Sequence, residues 1–449
     1  MQNLDGTVIA TALPTMARAF GSDPIRMNVA LTSYLLSLTV FIPASGWVAD
    51  RYGARVVFRA AIGVFTAGSV LCGLANGLLF LVLARIVQGI GGAMMVPVGR
   101  LVLLRTVAKQ DLVAAMAWLT MPALIGPVVG PPLGGLIVTY ASWRWIFLIN
   151  VPVGMLGALL VTLFVPDARE PDPGRFDARG LVLSAVALSG LVFGLDTAGR
   201  GLVGPATTAA LIGCGLLAAL LFWRHARRHS HPILDFGLMR VPSFAISVWA
   251  GTLFRVGIQA IPFLLPLMLQ IGFGVSPAAS GAITFASSAG ALVMKPVAPA
   301  ILRSFGFRRV LVWNAVLSAA ALATYAFFRP SWPVALIYAT LLGGGFLRSL
   351  QFTAYNTIAY ADIERDRMSA ATGFYATIQQ LSQAIGVPLG AAALEGSMWA
   401  RRHTAPMLDD FSSAFLVVAV VSLLAAPVSL RLAPDAGRAL TGRPGAAPS

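Results

Sequence analysis

Apolar residues in this chain run in long unbroken blocks rich in Leu, Ala, Val and Gly, separated by short polar segments. A helix needs about 20 such residues to cross the hydrocarbon core. Backbone groups in lipid must satisfy one another, which leaves only helices or a closed barrel. Barrel strands would read as short alternating segments, so the blocks predict helices. Blocks and breakers place spans near 2–19, 28–49, 57–76, 79–104, 112–138, 145–165, 179–197, 205–224, 243–270, 277–301, 309–328, 333–358, 369–395 and 412–431, fourteen in all.

Composition sharpens that picture. Of 449 residues, 57% are hydrophobic and 11% charged, with mean hydropathy +0.81, against roughly 25% charged in a soluble domain. The net charge of +15 does not indicate a nucleic-acid surface, because the basic residues are spread over short loops. Alternate loops divide them unequally. One set with the C-terminal tail holds 20 of the 32, the opposite set 7, and five fall inside spans. The positive-inside rule makes the richer side cytoplasmic, and an even number of spans puts both termini there. Cys72 and Cys214 lie in apolar spans and imply no disulfide framework; no cleavable signal peptide is visible. The first span carries Asp5 four residues after Met1 and lacks a cytoplasmic flank, so the expectation is that the chain as given begins inside its first helix.

The segment GWVADRYGARVVF (46–58) has a weaker echo in ILRSFGFRRVL (301–311), with Gly53 matching Gly306 and Arg55 matching Arg308. This predicts an internal duplication of the kind common in secondary transporters. Four units follow: an N-terminal six-helix bundle over 1–165, an inserted helix pair with its linkers over 166–241, a C-terminal six-helix bundle over 242–432, and a cytoplasmic tail over 433–449.

At these residues the match becomes specific. GWVADRYGAR resembles the loop signature of the major facilitator superfamily, and LARIVQGIGGA (83–93) its fourth-helix signature. GPVVGPPLGG (126–135) resembles the fifth-helix signature of its antiporter branch. LDGTVIATALP (4–14) and WRWIFLINVPVG (143–154) are similar to signatures of the fourteen-span drug:proton antiporters, the EmrB/QacA group, and several fragments look like its MdtD-type multidrug transporters. Gly6 and Ala10 depart from the pattern, and the C-terminal half keeps its signatures poorly. The resemblance implies an all-α membrane fold of two pseudo-symmetric bundles plus two inserted helices.

The residues suit transport on physical grounds. Gly46, Asp50, Arg51, Gly53 and Arg55 form the loop signature; a carboxylate at Asp50 can meet the positive end of a neighbouring helix and a facing guanidinium, a contact able to latch one conformation. Arg85 lies within a span, where a cation costs roughly 2.5–3.5 kcal/mol, so it must face the bundle and find partners such as Asp5 or Gln88. The resemblance implies a part for Arg85 in proton coupling. Asp5, placed between desolvation and a nearby cation, is the expected proton carrier. Gly126, Gly130, Pro131, Gly134 and Gly135 should give a kinked, closely packed helix. Arg255, Lys295 and Arg348, with Gln259 and Asn356, are the expected lining of a substrate cavity; no C-half carboxylate is expected at comparable depth, Glu395 being at a helix end. His225, His229 and His231, beside Arg224, Arg227 and Arg228, read as a solvated basic loop facing anionic lipid; no metal site is expected.

The expected function is export of small molecules driven by a proton gradient through alternating access, with the protein in the inner membrane. Multidrug efflux is the first expectation, and export of anionic metabolites such as organic carboxylates the alternative. The expected partners are the small-molecule substrate, protons and the lipid bilayer, compatible with a periplasmic adaptor protein, and with neither nucleic acid nor cofactor. An ATP-driven pump is disfavoured by the absence of a GxxxxGK[ST] run in a chain with only two lysines, Lys109 and Lys295. A membrane enzyme is disfavoured by the absence of a nucleophile motif.

Overall fold

A computed structural model describes residues 2–21, 24–166, 174–198 and 204–441. The described residues form helices joined by tight turns, with no strand among them. In chain order these are α1 Gln2–Ala19, α2 Pro24–Phe41, α3 Ser45–Tyr52, α4 Ala54–Gly73, α5 Leu78–Thr106, α6 Leu112–Tyr140, α7 Trp145–Leu148, α8 Asn150–Phe164, α9 Ala178–Ala198 and α10 Pro205–Ala226. There follow α11 Pro242–Ile258, α12 Ile261–Leu267, α13 Pro277–Phe305, α14 Phe307–Thr324, α15 Val334–Ile358, α16 Met368–Arg401, α17 Leu408–Leu423, α18 Ala425–Ser429 and α19 Arg438–Thr441. Each predicted span falls on helix. Some spans join two elements: a 3₁₀ turn at Ile42–Ala44 links α2 to α3, and α12 runs on into a π-turn at Met268–Gly272. Among the described residues, eleven helices are long and apolar enough to cross a membrane.

Surface and interior are inverted relative to a soluble protein. Leu79, Phe164, Trp313 and Trp399 project outward, as a lipid-facing surface requires, while Arg85, Arg255 and Asp5 are fully buried. A charge placed inside in this way needs partners.

Helix pairs approach closely where glycines permit. A Cβ added at Gly68 on α4 would lie 2.6 Å from the backbone of Gln88 on α5. Across the α13–α15 seam, Gly290 on α13 likewise faces the backbone of Leu342, and Gly345 on α15 that of Ser287. Without a hydrophobic drive between helices in lipid, such contacts carry association. Gly68→Leu is expected to destabilise the protein by about 1–3 kcal/mol through overpacking, measured as an earlier thermal transition in detergent.

The two related loops share one backbone geometry. Gly53 (φ 90°) and Gly306 (φ 80°) each end one helix and begin the next in the left-handed region that favours glycine. Helix α9 packs along α10 and also contacts both α2 and α16, so the helix pair lies beside the seam between the N-terminal and C-terminal parts. Both of its linkers are docked: Trp47 Nε1 donates to the Gly174 carbonyl at 3.2 Å, and Arg367 pairs with Asp235 at 2.5 Å.

Helix α6 continues as helix through its Gly/Pro run. Gly126, Gly130 and Gly134 are buried, and the side chain of Pro131 lies outside the described residues. Gly135 departs from the expectation: it is exposed, with open space where a Cβ would stand. It follows Gly134 by about 100° around the helix, which turns it away from the packed face.

Candidate transport site

The first centre is a buried polar cluster at Asp5. Arg85 Nη1 on α5 donates to Asp5 Oδ2 at 2.5 Å and to Gln88 Oε1 at 2.6 Å. Gln88 Nε2 donates to Asp5 Oδ1 at 2.9 Å and to Ser69 Oγ at 2.7 Å. Asn150 Nδ2 on α8 reaches Asp5 Oδ1 at 3.2 Å, and Arg85 Nε reaches the Ala30 carbonyl at 3.2 Å. The Tyr34 ring covers the guanidinium at 4.1 Å. Five helices thus converge on one carboxylate. Arg85 and Gln88 lie three residues apart on α5 and so share a face, as the spacing predicted. Ser69, Asn150 and Tyr34 were missed, because short polar residues inside apolar blocks carry no periodic signal that singles them out. An ion pair this deep holds only when geometry and hydrogen bonds offset its desolvation; here Arg85 Nη1, Gln88 Nε2 and Asn150 Nδ2 all donate to Asp5.

The second centre is the loop signature. Asp50 Oδ1 pairs with Arg105 Nη2 on α5 at 2.9 Å, and Ser369 Oγ donates a short hydrogen bond to Asp50 Oδ2. Ser369 occupies the first turn of the 34-residue helix α16, so Asp50 also sits at the positive end of its dipole. Gly46 lets α3 reach that turn: a Cβ there would lie 2.6 Å from the Ser369 carbonyl oxygen. The expected neighbouring helix end and facing guanidinium are both present. The guanidinium, however, belongs to neither Arg51 nor Arg55. Arg51 is exposed, one residue and so about 100° around α3 from Asp50. Arg55 instead donates to the Thr162 carbonyl at the end of α8.

The expected cavity residues do not form one group. Arg255 Nη2 donates to Tyr375 Oη at 2.5 Å, with its guanidinium 4.9 Å from that ring's centre. Arg100 on α5 lies on the same ring at 5.9 Å, and donates to Gln379 Oε1 at 3.1 Å and Tyr360 Oη at 3.3 Å. Gln379 Nε2 passes the chain on to Asn356 Oδ1 at 2.8 Å. Arg100, Arg255 and Asn356 therefore belong to one buried layer joining α5 to α11, α15 and α16. Sequence reasoning placed Arg100 inside a span without giving it a part; its burial was the available signal. Lys295 stands apart, donating to Thr120 on α6 at 2.7 Å and Thr353 on α15 at 3.0 Å. Arg348 is half-buried and has no hydrogen-bond or ion-pair partner among the described residues. Gln259 packs on Gly386.

Asp410, in the first turn of α17 rather than deep within a span, is nevertheless fully buried, held by His403 Nδ1 at 2.7 Å and Ser397 Oγ at 2.9 Å. It caps the first turn of α17 through the Met407 N–H, a local role that burial alone does not distinguish from a transport one.

Helices packed around buried charges, with an apolar outer surface, define a polytopic membrane transporter. The chain belongs to the Major Facilitator Superfamily, whose sequence profile matches residues 1–386 and 247–448. It is similar to multidrug transporters of the MdtD type. It is 39% identical over 407 residues to "Putative multidrug resistance protein MdtD" of Citrobacter koseri, covering 90% of this chain and 85% of that protein. The protein of the same description from Salmonella heidelberg is 38% identical over 440 residues, covering 97% and 93%. Among solved structures, the human organic anion transporter MFSD10 superposes with TM-score 0.65 at 15% identity, covering 95% of this chain and 89% of that one. The proton:xylose symporter XylE bound to 6-bromo-6-deoxy-D-glucose gives 0.64 at 16%, covering 95% and 91%. These two likenesses bear on the fold alone.

Proposed function

We propose that the protein is a proton-coupled efflux antiporter that works by alternating access, with Asp5 as the proton carrier and Arg85 as its partner. One observation carries the reading: a single carboxylate, buried among five helices, whose charge is held by one guanidinium and a set of neutral donors. Protonation of Asp5 would release Arg85 and remove the reason for those helices to stay converged. Proton loading and helix rearrangement are then one event, which is what coupling requires. The chain is read as fourteen crossings, two six-helix bundles with α9 and α10 inserted, and basic loops toward the cytoplasm of an inner membrane. The Asp50–Ser369 contact and the Arg100 layer join the bundles on the basic side, which supports a state closed toward the cytoplasm. The gradient supplies the energy without a cofactor.

Everted vesicles with an imposed pH gradient test the reading. Substrate uptake that follows the gradient and collapses with a protonophore is expected. Uptake that needs ATP, or passive flux at channel rates, would overturn it.

A second reading concerns cargo. Arg100, Arg255 and Lys295 are buried with no carboxylate partner among the described residues, an arrangement that favours anionic substrates such as organic carboxylates over lipophilic cations. Arg255→Ala is expected to weaken export of an anionic substrate by about tenfold or more, the loss of one charged hydrogen bond, while sparing a neutral one. Equal transport of both by the variant would remove the argument.

A further inference from the structure

We infer that the basic end of the α9–α10 pair is a binding site for a divalent transition-metal ion of the class that imidazole prefers, such as zinc or nickel. Asp177, His225 and His229 offer ligand atoms that all lie within 4.8 Å of one another. The donor set comes from two separate linkers of the inserted pair. Asp177 immediately precedes α9, while His225 ends α10 and His229 follows it by one turn. The turn persists past the end of α10, because His229 N donates to the His225 carbonyl at 3.0 Å. Spacing of four residues in that turn sets both imidazoles on one face, their ring centres 5.2 Å apart.

Two imidazoles and a carboxylate match the donors of a zinc site that leaves a fourth position for water. They are a poor set for magnesium, which requires oxygen ligands. Ligand atoms around a tetrahedral zinc stand about 3.3 Å apart. Asp177 Oδ1 and His225 Nε2 are already 2.8 Å apart, and His229, half-buried on a turn, has the freedom to close the remainder.

The carboxylate is held in place by its neighbours: Gly180 N donates to Oδ1 at 2.8 Å, Ile233 N donates to Oδ2 at 3.2 Å, and His225 Nε2 lies 2.8 Å from Oδ1. The cations close in sequence are Arg175, Arg179, Arg224, Arg227 and Arg228, all exposed. Arg227 lies over the Trp223 ring at 4.9 Å. A bound ion would fasten the two linkers together beside the seam that α9 shares with α2 and α16.

Equilibrium binding of zinc and nickel chlorides to the purified, tag-free full chain in detergent tests this, with magnesium as control. One ion per chain is expected, with magnesium inert. His229→Gln, at a half-buried position outside the helix, should reduce the affinity by more than about tenfold. Asp177→Asn, which keeps an acceptor for Gly180 N, should do the same, whereas His231→Gln should leave binding unchanged. A thermal transition that zinc raises in the parent and not in His229→Gln would agree. Zinc binding of equal strength in the parent, His229→Gln and Asp177→Asn proteins, or no binding in the parent, overturns the inference.

Discussion

Asp5→Asn should abolish substrate movement driven by a pH gradient while leaving substrate exchange in the absence of a gradient. The substitution keeps the volume and one acceptor for Gln88 or Asn150, yet removes both the charge and the titrating proton. If Asp5 carries the proton, driven export falls to the uncoupled level at every pH, and counterflow of labelled for unlabelled substrate persists. The companion change separates coupling from stability. Arg85→Ala leaves the Asp5 carboxylate buried without its cation, a situation that costs about 3–5 kcal/mol, so loss of folded protein should accompany loss of transport. Pairing it with Asp5→Asn should recover folded protein and not transport. Arg85→Lys should rescue poorly, because the guanidinium uses Nη1 for both Asp5 and Gln88 and Nε for the Ala30 carbonyl, and an ammonium cannot reproduce that fork. Gradient-driven export by Asp5→Asn at the parent rate would remove Asp5 from the mechanism.

Gly46→Val should arrest the cycle by preventing closure on the basic side. The added Cβ would stand 2.6 Å from the Ser369 carbonyl oxygen and 3.5 Å from the Ala370 amide. Those are backbone atoms of a long helix that cannot give way as a flexible side chain would. The Asp50–Ser369 bond and the seat of Asp50 at the end of α16 would be lost with the approach. With Cys214, the exposed native cysteine, replaced, a cysteine at Ala370 reports the effect. A water-soluble maleimide added from the basic side should label it several-fold faster in Gly46→Val than in the parent background, and export should fall to background. On the proposed cycle the contact is made in only one of two states, so the effect on folding should be small. Unchanged labelling with transport intact would mean that the Gly46–Ser369 approach has no part in gating. Asp50→Asn should act in the same direction with smaller amplitude, since the amide still accepts from Ser369 but no longer holds Arg105 by charge.

How far the sequence reached differs from site to site. The Asp5–Arg85–Gln88 contact was readable because a buried charge in lipid leaves few alternatives: each must find an opposite charge or a polar donor, and the N-terminal spans offer few of either. The loop signature showed that Asp50 should meet a helix end and a facing guanidinium, but not which arginine supplies it. Adjacent residues on a helix point about 100° apart, so the partner came from α5, 55 residues away. The cations of the C-terminal part could be placed along their spans, but not the neighbours each would meet: Arg255 lies on Tyr375, and Lys295 on Thr120 and Thr353. Depth follows from position along a span, whereas the side of the helix on which a cation lies depends on helix rotation, which uniformly apolar blocks do not encode. The histidine loop shows the same limit from the other direction. Its three histidines were visible in sequence, but Asp177, which lies 2.8 Å from His225 Nε2, enters from a different linker.

The sequence by itself determined that this is an α-helical membrane protein, because its long continuous apolar blocks suit helices, whose backbone groups satisfy one another in hydrocarbon. It also pointed to Asp5, Arg85 and Arg255 as charges that would need partners inside the protein. Only the tertiary structure decided which charges meet. Partners such as Asp5 with Arg85, Asp50 with Arg105 and Ser369, and Asp177 with His225 are brought together by how helices rotate and pack, and that depends on glycine contacts and side-chain fit rather than on the apolar pattern.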